Sequence, residues 1–290
     1  MKKMCPIVLI LMSIILCSCS SQRAVFAPKL GVCTSVDKAG LLKEAGCDYT
    51  EEAVGRFLIP AATDEKFAEK FSRFEESGFP ILACNSFIPG SLKSTGPDTK
   101  HDEIIEYARV AFEGAQKTGI KYIVFGSSGS RNVPEGFDKD RAREQFIALL
   151  KRMGPVARKY DVVVVIEPLN KKESNIVNTV SEGAEIARAV NHPNIKLLSD
   201  FYHMALENEG PQAVIEAGAL IKHCHIAEKE NRAAPGTTGD DFTGYFKALK
   251  EINYQGAISI ECRWSDFDKQ VPESIAYLKE QINLVNQAGL

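Results

Sequence analysis

Eight apolar runs alternating with eight segments of helical periodicity constrain this chain more than any other feature. The runs are Lys29–Cys33, Cys47–Glu51, Pro80–Asn85, Lys121–Phe125, Val162–Glu167, Ile195–Asp200, Leu220–Ile226 and Ala257–Glu261. The fifth, Val-Val-Val-Val-Ile-Glu-Pro, has no period-2 alternation, so it reads as a strand buried on both faces, the mark of a parallel sheet. Pro168 cannot donate to a ladder and stops it. Between the runs lie predicted helices at Asp37–Gly46, Asp64–Ser77, His101–Thr118, Asp138–Tyr160, Ser181–Val190, Gly210–Ala217, Phe242–Ile252 and Val271–Gln287. The stripe Ile104, Ile105, Ala108, Ala111 and Phe112 is typical of their spacing. The long helix from Asp138 is expected to bend near Gly154-Pro155. Eight strand–helix units with no linker predict an α/β chain folded as one (β/α)8 TIM barrel over residues 29–290. A doubly wound open sheet is the alternative, but Thr34-Ser35-Val36 after the first strand replaces the glycine-rich turn that such a sheet carries.

The first residues read as a targeting segment. Lys2 and Lys3 precede an apolar stretch from Ile7 to Leu16, of signal-peptide rather than membrane-spanning length. Leu16-Cys17-Ser18-Cys19 resembles a bacterial lipobox. It predicts a lipoprotein signal peptide over residues 1–18, a lipid-bearing Cys19, a short tether over residues 19–28, and a lipid-anchored location in the bacterial cell envelope, periplasmic or outer-membrane. A plain secretory signal or an uncleaved anchor is the simpler alternative. The formal net charge of −3 becomes −5 once Lys2 and Lys3 are lost, and no basic block appears. A nucleic-acid partner is therefore not expected. Cys33, Cys47, Cys84, Cys224 and Cys262 form no CxxC pair, and all five are placed in strands as small buried side chains.

Catalytic groups of such barrels sit at the carboxyl ends of the strands. The last four strands end in Glu167, Asp200, His225 and Glu261. Each alone has a structural explanation: an arginine partner, a helix cap, a satisfied core histidine. Together they put three carboxylates and an imidazole around one axis, and three carboxylates do not stay ionised there without a counter-charge. A divalent cation supplies it. Three oxygens and one nitrogen suit Mn²⁺, Mg²⁺ or Co²⁺, with Zn²⁺ as a further option. His223 shares a strand face with His225. The ligand is assigned to His225, nearer the carboxyl end, and a supporting role to His223.

The segments Glu167-Pro-Leu-Asn-Lys-Lys-Glu173, Asp200-Phe-Tyr-His203, His225-Ile-Ala-Glu228 with Arg232 and Pro235-Gly236 following, and Glu261 resemble the xylose isomerase-like sugar phosphate isomerase/epimerase barrels. The D-tagatose and D-psicose 3-epimerases are most alike, with hydroxypyruvate isomerase and inosose dehydratase as relatives. The resemblance covers the mature chain and is specific over strands five to eight. It implies a metal held by Glu167, Asp200, His225 and Glu261, and a small-molecule carbohydrate bound by Glu173, His203 and Arg232. It also admits a homodimer or homotetramer. Two departures stand out. Glu228–Arg232 is one residue longer than the epimerase pattern, which puts the placement of Arg232 in question. Asn85–Gly90 matches the third loop only loosely.

The chemistry implied is proton abstraction next to a carbonyl through an enediolate, with Glu167 and Glu261 as the opposed base and acid. Isomerisation, epimerisation and elimination share this first step. A metal-dependent lyase or dehydratase on a keto-sugar or keto-glycoside is thus the enzymatic alternative, and a lipid-tethered sugar-binding protein the non-enzymatic one. A multi-zinc endonuclease on the same barrel would need more than the five histidines present. The loop Pro235–Gly239 is the place where a phosphate would be sought, although it reads as a turn shaping the rim.

Overall fold

A computed structural model of the chain describes residues 25–58 and 64–288. The leader, Cys19 and the start of the tether lie outside the described residues. Eight parallel strands close into a barrel in sequence order. They are β1 (Lys29–Cys33), β2 (Tyr49–Ala53), β3 (Ile81–Asn85), β4 (Tyr122–Phe125), β5 (Val163–Ile166), β6 (Ile195–Asp200), β7 (Ile221–Ile226) and β8 (Ala257–Ile260). Pairing of Leu30 with Ile258 closes the ring. The helices are α1 (Ala39–Glu44), α2 (Val54–Phe57), α3 (Asp64–Ser77), α4 (His101–Thr118), α5 (Ser128–Arg131), α6 (Lys139–Lys159), α7 (Val180–Val190), α8 (Phe201–Leu206), α9 (Gln212–Ala217), α10 (Thr243–Glu251) and α11 (Phe267–Gln287).

Most of the apolar core lies between strands and outer helices. A second, small apolar layer of Val124, Val165 and Leu198 fills part of the barrel interior. The rest of the interior is polar. Tyr49 crosses it where Gly31 leaves room: a Cβ on Gly31 would stand 2.4 Å from the ring.

Several boundaries differ from the sequence expectation, for local reasons. β2 begins at Tyr49 rather than Cys47, because the Cys47 amide closes the preceding turn on Leu42 and Asp48 Oδ2 accepts from Leu30 N. The shift brings Glu52 into the strand and moves Glu51 from its end to its middle. α11 starts at Phe267 rather than Val271, since Asp266 caps it by accepting from Lys269 N, and Pro272 is accommodated inside its early turns. α6 runs unbroken through Gly154-Pro155. α5 and α8 were not expected; α8 follows directly on Asp200. Cys47 and Cys262 fall outside strands, while Cys33, Cys84 and Cys224 lie within them, and all five are free thiols.

Candidate active site

Glu167 follows the last residue of β5, where Pro168 ends the ladder. Its backbone is held from two sides. Glu167 N donates to Phe125 O, and Glu167 O accepts from Arg131 Nη2 at 2.7 Å. Arg131 is fully buried on α5 and also donates to Phe125 O, so one guanidinium ties the ends of β4 and β5 together. Burial lowers its pKa to about 10. The Glu167 carboxylate lies over Gly126: a Cβ there would stand 1.9 Å from Oε2. Burial raises the Glu167 pKa, and its bond to His225 only partly offsets this.

Asp200 ends β6 and divides its oxygens between two tasks. Oδ1 caps α8, accepting from Tyr202 N at 2.8 Å and His203 N at 3.3 Å. Oδ2 is buried with no hydrogen-bond partner and faces the site. Burial opposes its ionisation, but His203, Arg232 and His225 together hold its pKa below the usual value.

His225 occupies the centre. Nδ1 lies 3.0 Å from Glu167 Oε1 and 3.1 Å from Glu261 Oε2, and Nε2 lies 3.0 Å from Glu51 Oε1. Burial disfavours its charged form, yet Glu51 and Glu261 outweigh burial and hold its pKa well above the ordinary value. Glu261 lies one residue beyond β8. Its Oε1 accepts from Asn85 Nδ2 at 3.1 Å, and Oε2 accepts from Arg232 Nη2. One donor atom from each of Glu167, Asp200, His225 and Glu261 can be chosen so that all lie within 4.8 Å of one another. The partnerless Asp200 Oδ2 and the three carboxylates crowding one imidazole fit a divalent cation.

Within the Glu228–Arg232 segment the backbone is left-handed at Asn231 (φ 58°) and Arg232 (φ 52°). Arg232 O then accepts from Arg263 N, and Glu228 N donates to Ala233 O. This turn swings the Arg232 side chain back over the barrel. Its Nη2 is 3.6 Å from Asp200 Oδ2, and its guanidinium packs 4.8 Å from the Tyr202 ring centre. Arg232 therefore stands in the site, where its placement had been in question.

Asn170 organises the substrate side. Its Nδ2 lies 2.9 Å from Glu173 Oε1 and 2.8 Å from His203 Nδ1, and Oδ1 accepts from Lys172 N. With Nδ1 of His203 accepting, the ring proton is assigned to Nε2, which makes no hydrogen bond among the described residues and lies 3.5 Å from Asp200 Oδ2. A cleft of about 390 Å³ is lined by Glu167, Glu173, His203, Arg232 and Glu261. Asn85, Ser86 and the Gly126–Gly129 segment line it as well.

Glu228 was quoted in the sequence without a role. It is fully buried and accepts from the amides of Gly236, Thr238, Gly239 and Asp240 and from Thr238 Oγ1. The loop that might have cradled a phosphate thus spends these donors on a carboxylate of the chain itself. Sequence reasoning also missed Glu51, Asn85, Arg131 and Asn170. A glutamate pair in a strand was the one available signal, in Glu51-Glu52.

A model of the xylose isomerase-like TIM barrel family matches residues 39–281. The chain belongs to this family. An L-ribulose 3-epimerase from Methylomonas sp. (strain DH-1) is 30% identical over 224 residues, covering 75% of this chain and 74% of that one. The 3-dehydro-D-guloside 4-epimerase of Escherichia coli (strain K12) is 26% identical over 270 residues, covering 89% and 98%. Among solved structures, a D-allulose 3-epimerase from Methylomonas sp. in complex with D-allulose superposes with a TM-score of 0.76 at 23% identity, covering 89% of this chain and 99% of that one. The family expected from strands five to eight is therefore the one found. The fold expected from the element count is the one observed.

Proposed function

We propose that this chain is a divalent-metal-dependent sugar isomerase/epimerase. The observation that carries the reading is the convergence of Glu167, Asp200, His225 and Glu261 beside a cleft whose polar lining includes Glu173, His203 and Arg232. The four converging residues would hold Mn²⁺, Mg²⁺, Co²⁺ or Zn²⁺. When bound, such an ion acidifies the C–H between a hydroxyl and a carbonyl that share it. Glu167 Oε2, clear over Gly126, takes up the proton from one face of the substrate carbon. Glu261 serves the opposite face, where Asn85 and Arg232 orient its carboxylate. His203 Nε2–H and the Arg232 guanidinium donate to the oxygens on which enediolate charge grows. Glu173, steadied by Asn170, accepts from a substrate hydroxyl.

Similarity to enzymes named as ketose 3-epimerases and as a keto-glycoside 4-epimerase supports a sugar epimerase. A keto-glycoside substrate remains the second reading, because the E. coli relative aligned over 98% of its length is named a 3-dehydro-D-guloside 4-epimerase; elimination on such a substrate would share the first proton abstraction. The lipobox supports a tethered enzyme in the cell envelope, with intact-mass measurement of lipid on Cys19 as its test.

The activity test is a panel of ketoses, aldoses and 3-keto-glycosides incubated in D₂O with Mn²⁺ and followed by NMR. Deuterium uptake at one carbon is expected, abolished by EDTA and restored by Mn²⁺ or Co²⁺. Glu167→Gln and Glu261→Gln should each abolish turnover. Near-normal metal-dependent activity in either variant would remove that residue from the mechanism.

A further inference from the structure

We propose that Glu51, beneath the site on β2, is the positioning residue of the metal centre: it binds His225 Nε2–H and so turns Nδ1 toward the cation. The inference rests on the metal reading above and assigns a role to a side chain that makes no contact with the cleft.

A neutral imidazole carries one ring proton, and a ligating nitrogen must be the one without it. His225 could present either nitrogen. Glu51 Oε1 lies 3.0 Å from Nε2, on the side of the ring away from Glu167 and Glu261. A carboxylate there retains the Nε2 proton and leaves the Nδ1 lone pair for the ion. It also raises the basicity of the ring.

Glu51 is itself fixed. It is 1% exposed. Its Oε2 lies 2.7 Å from His223 Nε2 and accepts from Ser259 Oγ at 2.7 Å, and Ser259 Oγ lies 2.8 Å from the Tyr49 hydroxyl. Tyr122 stacks on His223 with ring centres 5.5 Å apart. Its ion-pair partners among the described residues are the two histidines, with no lysine or arginine. Its two oxygens divide between the rings: Oε2 meets His223, and Oε1 is the one that acts on His225. A carboxylate kept inside a barrel with no lysine or arginine beside it is costly, and packing alone gives no reason to keep it.

The rival assignment is a second metal site. Cys33, Glu51 and His225 also offer donor atoms close together, which would make Glu51 a ligand. Stoichiometry separates the two.

The experiment takes the intact protein, stripped by a chelator and reloaded with Co²⁺ or Zn²⁺. Wild type should bind one equivalent. In the zinc form, long-range ¹H–¹⁵N spectra should give His225 Nδ1 the metal-bound shift and Nε2 a proton. Glu51→Gln should weaken metal affinity about 10- to 100-fold and alter the visible Co²⁺ bands. Ser259→Ala keeps the carboxylate and should stay within about threefold of wild type. If Glu51→Gln lowers only the melting temperature and leaves affinity and bands unchanged, the inference is wrong. Two equivalents with a thiolate band lost in Cys33→Ser would overturn it in favour of the second site, and zinc on Nε2 would overturn it even if Glu51→Gln fails to fold. A wild-type protein that binds no metal removes the metal reading itself, and this inference with it.

Discussion

The sharpest test of the site changes a residue with no side chain. In Gly126→Ala, the new Cβ would stand 1.9 Å from Glu167 Oε2 and 3.0 Å from its Cδ. Ordinary contact begins near 3.4 Å, so the carboxylate must retreat by about 1.5 Å. The backbone cannot share the movement, because Arg131 pins Glu167 O and Phe125 O on either side of Gly126. The side chain can move, since it borders an open cleft. The strain is therefore relieved by the reacting group rather than by the fold, and stability should fall by about 1 kcal/mol, the low end for overpacking. Misplacing a reacting group by about 1 Å costs on the order of 10²-fold in rate, or about 2.7 kcal/mol of barrier. Glu167 would serve as both base and ligand, so kcat and metal affinity should fall together. The assay is steady-state turnover of whichever sugar exchanges deuterium, with Co²⁺ affinity measured beside it and thermal unfolding as the control. A folded variant with both quantities within threefold of wild type would refute the placement of Glu167.

Asn170→Ala removes the side chain shared by Glu173 and His203. It should lower kcat/KM by roughly 30-fold, mostly through KM, with metal affinity unchanged, as expected for two bonds of about 1 kcal/mol each, one of them to a carboxylate. An unchanged KM would show that Glu173 is not held for the substrate. Glu228 supplies a pH signature remote from the metal. Burial raises its pKa, but the Thr238 hydroxyl and the loop amides outweigh burial and hold it below the usual carboxylate value. A folded pKa below the unfolded value of about 4.3 means stability present in full above that pH and lost as pH falls through the folded value. In thermal melts from pH 3 to 7, Glu228→Gln should therefore lie furthest below wild type near neutrality and converge with it in acid. A gap that stays constant across the range would mean that the loop does not depend on the Glu228 charge.

The parts of the site legible in the sequence are those whose chemistry is local. A valine run stopped by Pro168 exposes Glu167 whatever surrounds it. Asp200 follows five strand residues and precedes a helix, so its place at a strand end is set by its immediate neighbours. The capping reading of Asp200 leaves room for the functional one, because capping occupies Oδ1 and Oδ2 makes no hydrogen bond. Arg232 shows the limit of matching by spacing. Its side chain reaches Asp200 and Glu261 only because two consecutive residues take positive φ, and no glycine marks that turn.

Glu51, Gly126 and Arg131 were not legible, for a different reason. Each acts on a residue far away in sequence and adjacent only after closure: Glu51 on His225, Gly126 and Arg131 on Glu167. Glu51 shows most clearly what is lost in a linear reading. Its strand was placed two residues early, which left Glu51 as a terminal acid no different from Glu52. In the barrel the pleat sends the two apart. Glu52 turns outward to Val36 N and Arg56, while Glu51 turns inward to the ring of His225. One residue of register decides whether a carboxylate turns outward to Arg56 or sits beneath the cluster of Glu167, His225 and Glu261. The strand boundary is thus the smallest fact on which the reading of this site turns.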